Sequence, residues 1–387
     1  MTRRIRVLHI VRNLNDGGME RVVADLARTA DPGVFDVHVM TLGQFGRFAR
    51  LAGPRTVLHE PPHMTRLSMV RPVALARVVR RIAPNVVHAH SGTWYKTARA
   101  SRLAGVPVVY TDHGRQFPDP WSYRFLDRRA ARITDRVVAV SRVLGDYLMA
   151  RVGVAPDKIE VVPNGIDLRQ LDARLAAVGV SAREDDRVVF GTVGRIERVK
   201  GYDVLLAALA LWPADAPRAA MLIAGDGSER GTLEALARRL NLGDRVQFVG
   251  WVEEPERFYQ LLDAFLLSSR SEGTSISLIE AMAAGRPPIA TDVGGNSDVL
   301  GDELREWLVP SEDPAALMAK MVAMARSTEL GRRQLCAAAR ARIVARYDLS
   351  RTAERYAEVY YSLARGARAP QAETQSAEYT AAVGPVT

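Results

Sequence analysis

The sequence contains a single cysteine, Cys336, and it contains no apolar run near the roughly 18 residues of a membrane-spanning helix. One cysteine excludes a disulfide framework and a thiolate metal cluster, which indicates a reducing compartment. The amino terminus, MTRRIRVLHIV, turns polar too soon for a secretory signal. These absences together predict a soluble, cytoplasmic protein.

Sequence patterns typical of nucleic-acid binding are also missing, because the chain shows no helix-turn-helix, RNP or zinc-finger motif. The formal net charge is nevertheless +9, and residues 1–180 carry 28 Lys+Arg against 15 Asp+Glu. A basic half of this kind suits an anionic membrane surface or an acidic substrate, although an ordinary excess of surface arginine explains it equally well. Nucleic acid is therefore the least expected partner.

Strand-like apolar runs alternate with helical stretches along both halves of the chain, as at Val86 to His90 and again at Arg187 to Val193. This alternation predicts an α/β protein with doubly wound parallel sheets, and the length suggests about two domains. A polar helical stretch from Leu168 to Asp186 lacks a strong core face and marks the boundary between them. The predicted units are residues 1–175, residues 176–349, a last amphipathic helix at 350–363 and a disordered tail at 364–387.

The most informative stretch runs from Ser268 to Asn296 and reads SSRSEGTSISLIEAMAAGRPPIATDVGGN. It predicts a strand end, a glycine turn, a helix and a second strand. Glu272 lies in the turn and Glu280 lies inside the helix, so both are expected at the carboxyl edge of a sheet, where open α/β sheets bind ligands. An ionised carboxylate can accept hydrogen bonds from two vicinal hydroxyls, whereas the ordinary alternative is a pair of solvated surface glutamates.

Two further loops have the composition of anion sites. Gly17 and Gly18 follow a strand and precede the helix Met19 to Arg28, and free N–H groups at a helix start favour anions. Arg195 and Lys200 lie five positions apart around another helix start, where two cations can converge on one diphosphate. An isolated pair of this kind would more often belong to a solvated loop.

Three histidines lie at or just after the ends of predicted strands in the first half of the chain. His88 and His90 lie on one face at the end of a strand, but the sequence reveals no third ligand, so a metal site is not expected. His113 follows Tyr110-Thr111-Asp112 and precedes Gly114, which places it at the carboxyl edge of the first sheet, opposite Glu272. A generic loop histidine remains the alternative at that position.

Aromatic residues alternate with arginines immediately downstream. This segment either forms an interfacial patch that finds a lipid-linked acceptor or packs its aromatic rings on the domain, and it comprises Phe117, Trp121, Tyr123, Phe125, Arg124, Arg128, Arg129 and Arg132.

The ordered motifs resemble those of the retaining GT-B glycosyltransferases of family four, the glycosyl transferases group 1. The resemblance rests on an E-x7-E signature from Glu272 to Glu280, on GGMERVVADLA, on VVYTDHGRQF and on G-R-x4-K-G around Arg195 and Lys200. It implies two facing Rossmann-like domains with a cleft between them. The N-terminal domain would bind the acceptor, the C-terminal domain would bind the nucleotide sugar, and the last helix would cross back onto the first domain.

The same resemblance implies a role for each matching position. Glu280 would hold the ribose, and the turn at Glu272 would lie beside the donor sugar. The implied catalytic residues are His113, Arg195, Lys200 and Glu272. The implied donor-binding residues are Gly17, Gly18, Arg195, Lys200, Gly273, Thr274, Ser275 and Glu280, with Trp251 and Val252 beside the base.

The activity implied is transfer of a sugar from a UDP- or GDP-linked donor to a glycan or a polyprenyl-diphosphate-linked acceptor, with retention, in envelope or exopolysaccharide biosynthesis. No cofactor is expected, and no metal is expected because the chain lacks a D-x-D triplet. Peripheral contact with the anionic inner face of the cell membrane is a further expectation. Two alternatives stay open: a GT-B nucleotide-sugar epimerase or hydrolase, and a non-catalytic binding module. Thr274 and Ser275 replace the commoner Phe-Gly, which leaves the sugar undetermined.

Overall fold

The computed structural model describes residues 4–15, 17–62, 68, 71–115, 120–178 and 186–366. Within them the chain builds two sheets whose recorded strand pairings are all parallel, as predicted. Both sheets reverse their strand order beside the first strand of the domain, between β1 (Ile5–Val11) and β4 (Val86–His90) in one and between β8 (Val188–Val193) and β11 (Ala264–Leu267) in the other. Loops that follow the strands at such a switch point form a ligand crevice.

The first sheet has seven strands, which are β1 (Ile5–Val11), β2 (Phe35–Thr41), β3 (Val57–His59), β4 (Val86–His90), β5 (Val108–Asp112), β6 (Arg136–Ala139) and β7 (Ile159–Val161). Their order in the sheet is β3-β2-β1-β4-β5-β6-β7. The inner strands are largely buried on both faces, as expected for a parallel sheet covered by helices, whereas the edge strands β3 and β7 are partly exposed. The helices are α1 (Gly18–Thr29), α2 (Val73–Ile82), α3 (Trp94–Ala104), α4 (Trp121–Ile133) and α5 (Arg142–Tyr147).

The second sheet has six strands and its own apolar core. Ser275, Asp313 and Thr328 accept a hydrogen bond from the first turn of the helix that follows each of them, which fixes where those helices begin. The strands are β8 (Val188–Val193), β9 (Ala219–Ala224), β10 (Val246–Gly250), β11 (Ala264–Leu267), β12 (Pro288–Thr291) and β13 (Leu308–Val309), and their order in the sheet is β10-β9-β8-β11-β12-β13. The helices are α7 (Tyr202–Ala210), α8 (Arg230–Arg239), α9 (Pro255–Gln260), α10 (Ile276–Ala283), α11 (Asn296–Leu300), α12 (Pro314–Arg326) and α13 (Glu329–Arg346).

Two crossings join the sheets, and they are hydrogen-bonded to each other. Before α6 (Leu168–Val178), the Ile166 amide donates to the Tyr347 carbonyl at 2.9 Å. Before α14 (Leu349–Gly366), the Leu349 amide donates to the Ile166 carbonyl at 2.9 Å. The paired crossings fix where both chain segments leave one domain for the other.

The structure differs from expectation at both crossings. Leu168 and Leu171 are buried in the second core, so the stretch expected to lack a core face has one. The last helix starts one residue before the predicted 350 and ends at Gly366, three residues beyond 363, and Tyr356, Val359 and Tyr360 bury it against the first sheet. The rest of the predicted tail, 367–387, lies outside the described residues, and the boundaries at 175 and 349 stay predictions.

No helix among the described residues has the length and apolar character needed to cross a bilayer.

Candidate active site

The loops at the carboxyl edges of the two sheets meet in direct backbone contact. A Cβ placed on Gly273 would lie 2.0 Å from the His113 carbonyl oxygen, and a Cβ on Gly114 would lie 3.0 Å from the Gly273 nitrogen. The Thr274 hydroxyl donates to the Val140 carbonyl at 2.5 Å, which ties the second domain's turn to the first domain. The structure therefore brings His113 and the Glu272–Gly273 turn together, and only glycine fits where they touch.

Glu272 and Lys200 form an ion pair at this junction. The Lys200 Nζ lies 2.5 Å from the Glu272 Oε1, and the Ser269 hydroxyl donates to the same oxygen at 2.6 Å. The two charged side chains are only 16% and 10% exposed, so they are weakly screened by water. Any anion that binds to the lysine ammonium has to compete with Glu272 for it.

Arg195 follows β8 and differs from Lys200 in its surroundings. It is exposed, and in the described part of the chain no carboxylate is recorded at ion-pair distance from it. A guanidinium presents five donors in a planar fork and can bridge two phosphate oxygens. Of the two predicted cations, Arg195 is the one that already faces solvent, whereas Lys200 is paired.

The loops after β8 and β9 pack against each other through glycines. A Cβ on Gly225 would lie 1.9 Å from the Gly194 carbonyl oxygen, and a Cβ on Gly227 would lie 2.3 Å from the Ile196 carbonyl oxygen. Gly225 also has φ +133°, a conformation that favours glycine. These glycines form a narrow backbone-lined edge next to Arg195.

Two helix N-termini, one from each domain, face each other across the cleft. Gly18 begins α1, and a Cβ on it would touch the Ile276 side chain at 3.4 Å, where α10 begins. The Ser275 hydroxyl caps α10 by accepting from the Leu278 amide at 3.4 Å. Because both helix dipoles place partial positive charge here, the predicted glycine loop and the predicted sugar turn share one anion-favouring region.

Glu280 lies one turn into α10 and is only partly exposed. The Tyr259 hydroxyl donates to the Glu280 Oε2 at 2.9 Å. Glu280 also lines a small cavity of about 20 Å³, together with Arg21 of α1. Burial raises the pKa of the Glu280 carboxyl, while the Arg21 charge and the Tyr259 hydrogen bond lower it, and burial dominates. The alternative of a solvated surface glutamate therefore does not describe this residue.

Trp251 and Val252 follow β10 at the rim of the cleft. Trp251 is 44% exposed, and the Arg47 guanidinium of the first domain lies 5.3 Å from its ring centroid. Val252 packs against the second core. The aromatic ring thus remains available beside a cation from the opposite domain.

His113 is the end of a buried histidine cluster. Its Nε2 lies 3.0 Å from the His90 Nδ1, and the His90 Nε2 lies 3.1 Å from the His9 Nδ1. His88 has separate partners, with its Nδ1 2.7 Å from the Tyr360 hydroxyl and its Nε2 2.7 Å from the Thr111 hydroxyl. Burial lowers the pKa of His113 to about 3 and that of His9 to about 4, so both rings are neutral near pH 7.

His9 supplies a third imidazole nitrogen that the sequence did not reveal, because nitrogens of His9, His88 and His90 lie within 4.8 Å of one another. The rings of His9 and His90 lie edge to edge and nearly parallel, however, with an interplanar angle of 11°, so that the His9 Nδ1 and the His90 Nε2 point at each other. A metal requires imidazole lone pairs that converge, and both nitrogens of His88 and of His90 are already hydrogen-bonded. The cluster fits a hydrogen-bonded network better than a metal centre, and the expected absence of a metal stays a prediction.

Four contributors escaped the sequence reasoning: Arg21, Tyr259, His9 and Tyr360. Each acts through a partner far along the chain, as Tyr259 does with Glu280 and Tyr360 does with His88. The available signals were weak: Arg21 lies one turn after the glycine loop, and His9 lies on a predicted strand.

Comparison with known proteins assigns the chain to a family. Residues 16–170 match the model of Glycosyltransferase Family 4, and residues 176–341 match that of Glycosyl transferases group 1. EpsF of Bacillus subtilis (strain 168), a glycosyltransferase by name, is 30% identical over 321 residues, which is 74% of this chain and 79% of that protein. The chain belongs to the glycosyl transferases group 1. It is therefore a glycosyltransferase of the hexosyltransferase type, as predicted.

Two further matches cover almost the whole glycosyltransferase. The GDP-mannose:cellobiosyl-diphosphopolyprenol alpha-mannosyltransferase of Xanthomonas campestris is 28% identical over 382 residues, covering 92% of this chain and 97% of that protein. The structure of Anabaena HepE in complex with UDP superimposes with a TM-score of 0.77 at 21% identity, over 92% of this chain and 100% of that one. The predicted GT-B fold is confirmed.

The raised pKa of Glu280 predicts how its amide variant behaves. Because the folded state holds the carboxyl proton more tightly than the unfolded state, the free energy of unfolding falls as pH rises from the ordinary glutamate value through the raised one. Glu280→Gln removes this loss and should be at least as stable as the wild type at neutral pH. Thermal unfolding measured between about pH 4 and 8 checks this.

Glu256→Gln is the matched control, since Glu256 lines the same cavity but its Oε1 is paired with the Arg174 Nη1 at 3.0 Å. The free energy of unfolding of Glu256→Gln should be about 1–3 kcal/mol lower than that of the wild type, because the variant loses the charged hydrogen bond to Arg174. A Glu280→Gln protein less stable than the wild type at neutral pH would contradict the assignment of burial as the dominant effect.

Proposed function

We propose that this glycosyltransferase moves a sugar from a UDP- or GDP-linked donor, with retention and without a metal, to a glycan or polyprenyl-diphosphate-linked acceptor. The pathway proposed is envelope or exopolysaccharide biosynthesis. The observation that carries the proposal is the junction where the His113 loop, the Glu272 turn, Lys200 and two helix N-termini meet. A sugar diphosphate would satisfy both kinds of group at this junction. Its diphosphate would bind to Lys200 and the helix N-termini, and its sugar hydroxyls would bind to Glu272 and His113.

Uracil and guanine are both proposed as the donor base, because similar proteins differ in the nucleotide that they bind or are named for. The HepE structure contains UDP, and the Xanthomonas mannosyltransferase is named for GDP-mannose. The base would lie towards Trp251 and Val252, and the ribose hydroxyls would replace the Tyr259 hydrogen bond or share the Glu280 carboxylate with it.

Donor binding would rearrange the ion pair at the junction. The diphosphate would draw the Lys200 ammonium away from Glu272, and the freed carboxylate would then accept a hydrogen bond from a donor-sugar hydroxyl. Arg195 and the N-termini of α1 and α10 would complete the neutralisation of the leaving diphosphate as charge develops on it. Retention follows the resemblance, with the leaving phosphate accepting the proton of the acceptor hydroxyl.

The acceptor class is supported by a surface on α4. Trp121 is 76% exposed, Tyr123 is 62% exposed and Phe125 is 48% exposed, so in the described part of the segment these rings do not pack on the domain. The Arg129 guanidinium lies 4.0 Å from the Phe125 ring centroid. Exposed aromatic rings beside arginines suit an anionic membrane interface, where a polyprenyl-linked acceptor resides. Phe117 lies outside the described residues.

Removing either predicted cation should slow the chemical step. Arg195→Met and Lys200→Met should each lower kcat by about 10²–10³-fold and raise the KM for the donor less, because the charge they stabilise develops in the transition state. Steady-state rates with UDP- and GDP-sugars and a polyprenyl-diphosphate acceptor measure both constants. Arg198→Met, an exposed arginine of the same loop, is the control that should retain activity.

Wild-type kcat in both Arg195→Met and Lys200→Met would refute the proposed roles. Turnover that does not depend on the acceptor would favour the epimerase or hydrolase alternative.

The α4 surface should mediate vesicle binding. A Trp121→Ser/Tyr123→Ser/Phe125→Ser variant should cosediment with phosphatidylglycerol vesicles at least about tenfold less than the wild type, since three exposed aromatic side chains are lost from the interface. Leu330→Ser, at a residue of α13 that is 67% exposed, is the control and should bind like the wild type. Equal binding of the triple variant, or no binding of the wild type, would refute the membrane contact.

A further inference from the structure

Three histidines form a hydrogen-bonded line that ends at the candidate active site. His9 lies on β1, His90 ends β4 and His113 follows β5, so the line crosses neighbouring strands of the first sheet. The register aligns His9 with His88 and aligns His90 with Thr111, which places the side chains on one face. The two links measure 3.1 Å between His9 and His90 and 3.0 Å between His90 and His113.

The middle ring is held on all sides. His90 is 0% exposed, both of its nitrogens are hydrogen-bonded within the line, and the His88 ring lies 4.1 Å away between centroids. His88 is itself fixed by the Tyr360 hydroxyl of α14. A ring with two occupied nitrogens and a packed face has little freedom to rotate.

Neutral rings restrict how protons can be arranged along the line, because each ring has one N–H and one lone pair. In one arrangement the His113 Nε2–H donates to His90 Nδ1 and the His90 Nε2–H donates to His9 Nδ1, which leaves a lone pair on the His113 Nδ1. In the other arrangement both bonds are reversed and the His113 Nδ1 bears the hydrogen. That Nδ1 is buried and makes no hydrogen bond of regular geometry among the described residues, and the Asn164 side chain is the neighbour whose hydrogen bonding to His113 partly opposes the lowering of its pKa.

We infer that His90 is a positioning residue, which orients the His113 ring and couples the tautomer of His113 to that of His9. The inference rests on the proposed function, in which His113 lies beside the donor sugar. Whether the Nδ1 of His113 offers a donor or an acceptor to a sugar hydroxyl is then coupled, through His90, to the tautomer of His9. If His113 were a mixture of tautomers, part of the enzyme population would present the wrong hydrogen-bonding group to the sugar.

Two amide variants of His90 separate its two bonds. Asparagine places its amide near the Nδ1 position and can keep the bond to His113, whereas glutamine reaches the Nε2 position and can keep only the bond to His9. His90→Gln should lower kcat by about 10–100-fold, because a small misplacement of a reacting group costs that much, with the donor KM little changed. His90→Asn should lose less.

His38 supplies the matched control. Its Nδ1 lies 2.7 Å from the His59 Nε2 in another hydrogen-bonded histidine pair of the same sheet, on β2 and β3. His38→Asn and His38→Gln should leave kcat near that of the wild type. Equal losses in the two His90 variants, or losses no greater than those of the His38 variants, would overturn the positioning role.

Heteronuclear NMR of the imidazole nitrogens tests the inference without turnover. In the ligand-free wild type His113 should be a single tautomer, and in His90→Gln, checked for folding by thermal unfolding, it should become a mixture. An unchanged His113 spectrum in His90→Gln would overturn the inference. The turnover of His113→Ala separately tests the role of His113 in the proposed function, because wild-type activity in that variant would refute that role whatever the NMR shows.

Discussion

The close contact between the His113–Gly114 loop and the Glu272–Gly273 turn is the constraint on which the site depends. Any side chain at Gly273 would overlap the His113 carbonyl, so the two domains approach this closely only because both partners are glycines or present backbone. The contact fixes where the carboxyl edges of the two sheets face each other. Every group proposed to bind the donor is arranged around it.

Electrostatics then explains why this junction suits an anionic ligand and remains stable without one. Two helix N-termini and Lys200 supply positive potential, and Glu272 neutralises the lysine. A largely buried lysine left without a partner would destabilise the fold, so the carboxylate proposed to bind the sugar also stabilises the junction. The charge of Glu280 is compensated less fully than that of Glu272. Burial raises the pKa of the Glu280 carboxyl by more than the Arg21 charge and the Tyr259 hydrogen bond lower it.

The sequence predicted what depends on local pattern. Strand and helix periodicity, glycine turns and the E-x7-E spacing located both sheets and the junction between Gly18, His113 and Glu272. It missed what depends on partners distant in the chain. Nothing local shows that Leu171 packs into the second core, that Tyr259 binds Glu280, or that His9 joins His90 through a strand register that only the folded sheet defines.

The most direct test of the account is calorimetric titration of the purified protein with UDP and with GDP, in the presence and absence of EDTA, repeated on Glu280→Ala. The account predicts that one nucleotide binds with the same affinity whether or not EDTA is present, and that Glu280→Ala, verified as folded, abolishes this binding. If neither nucleotide binds, or if binding requires a metal or survives in Glu280→Ala, the proposed donor site is contradicted.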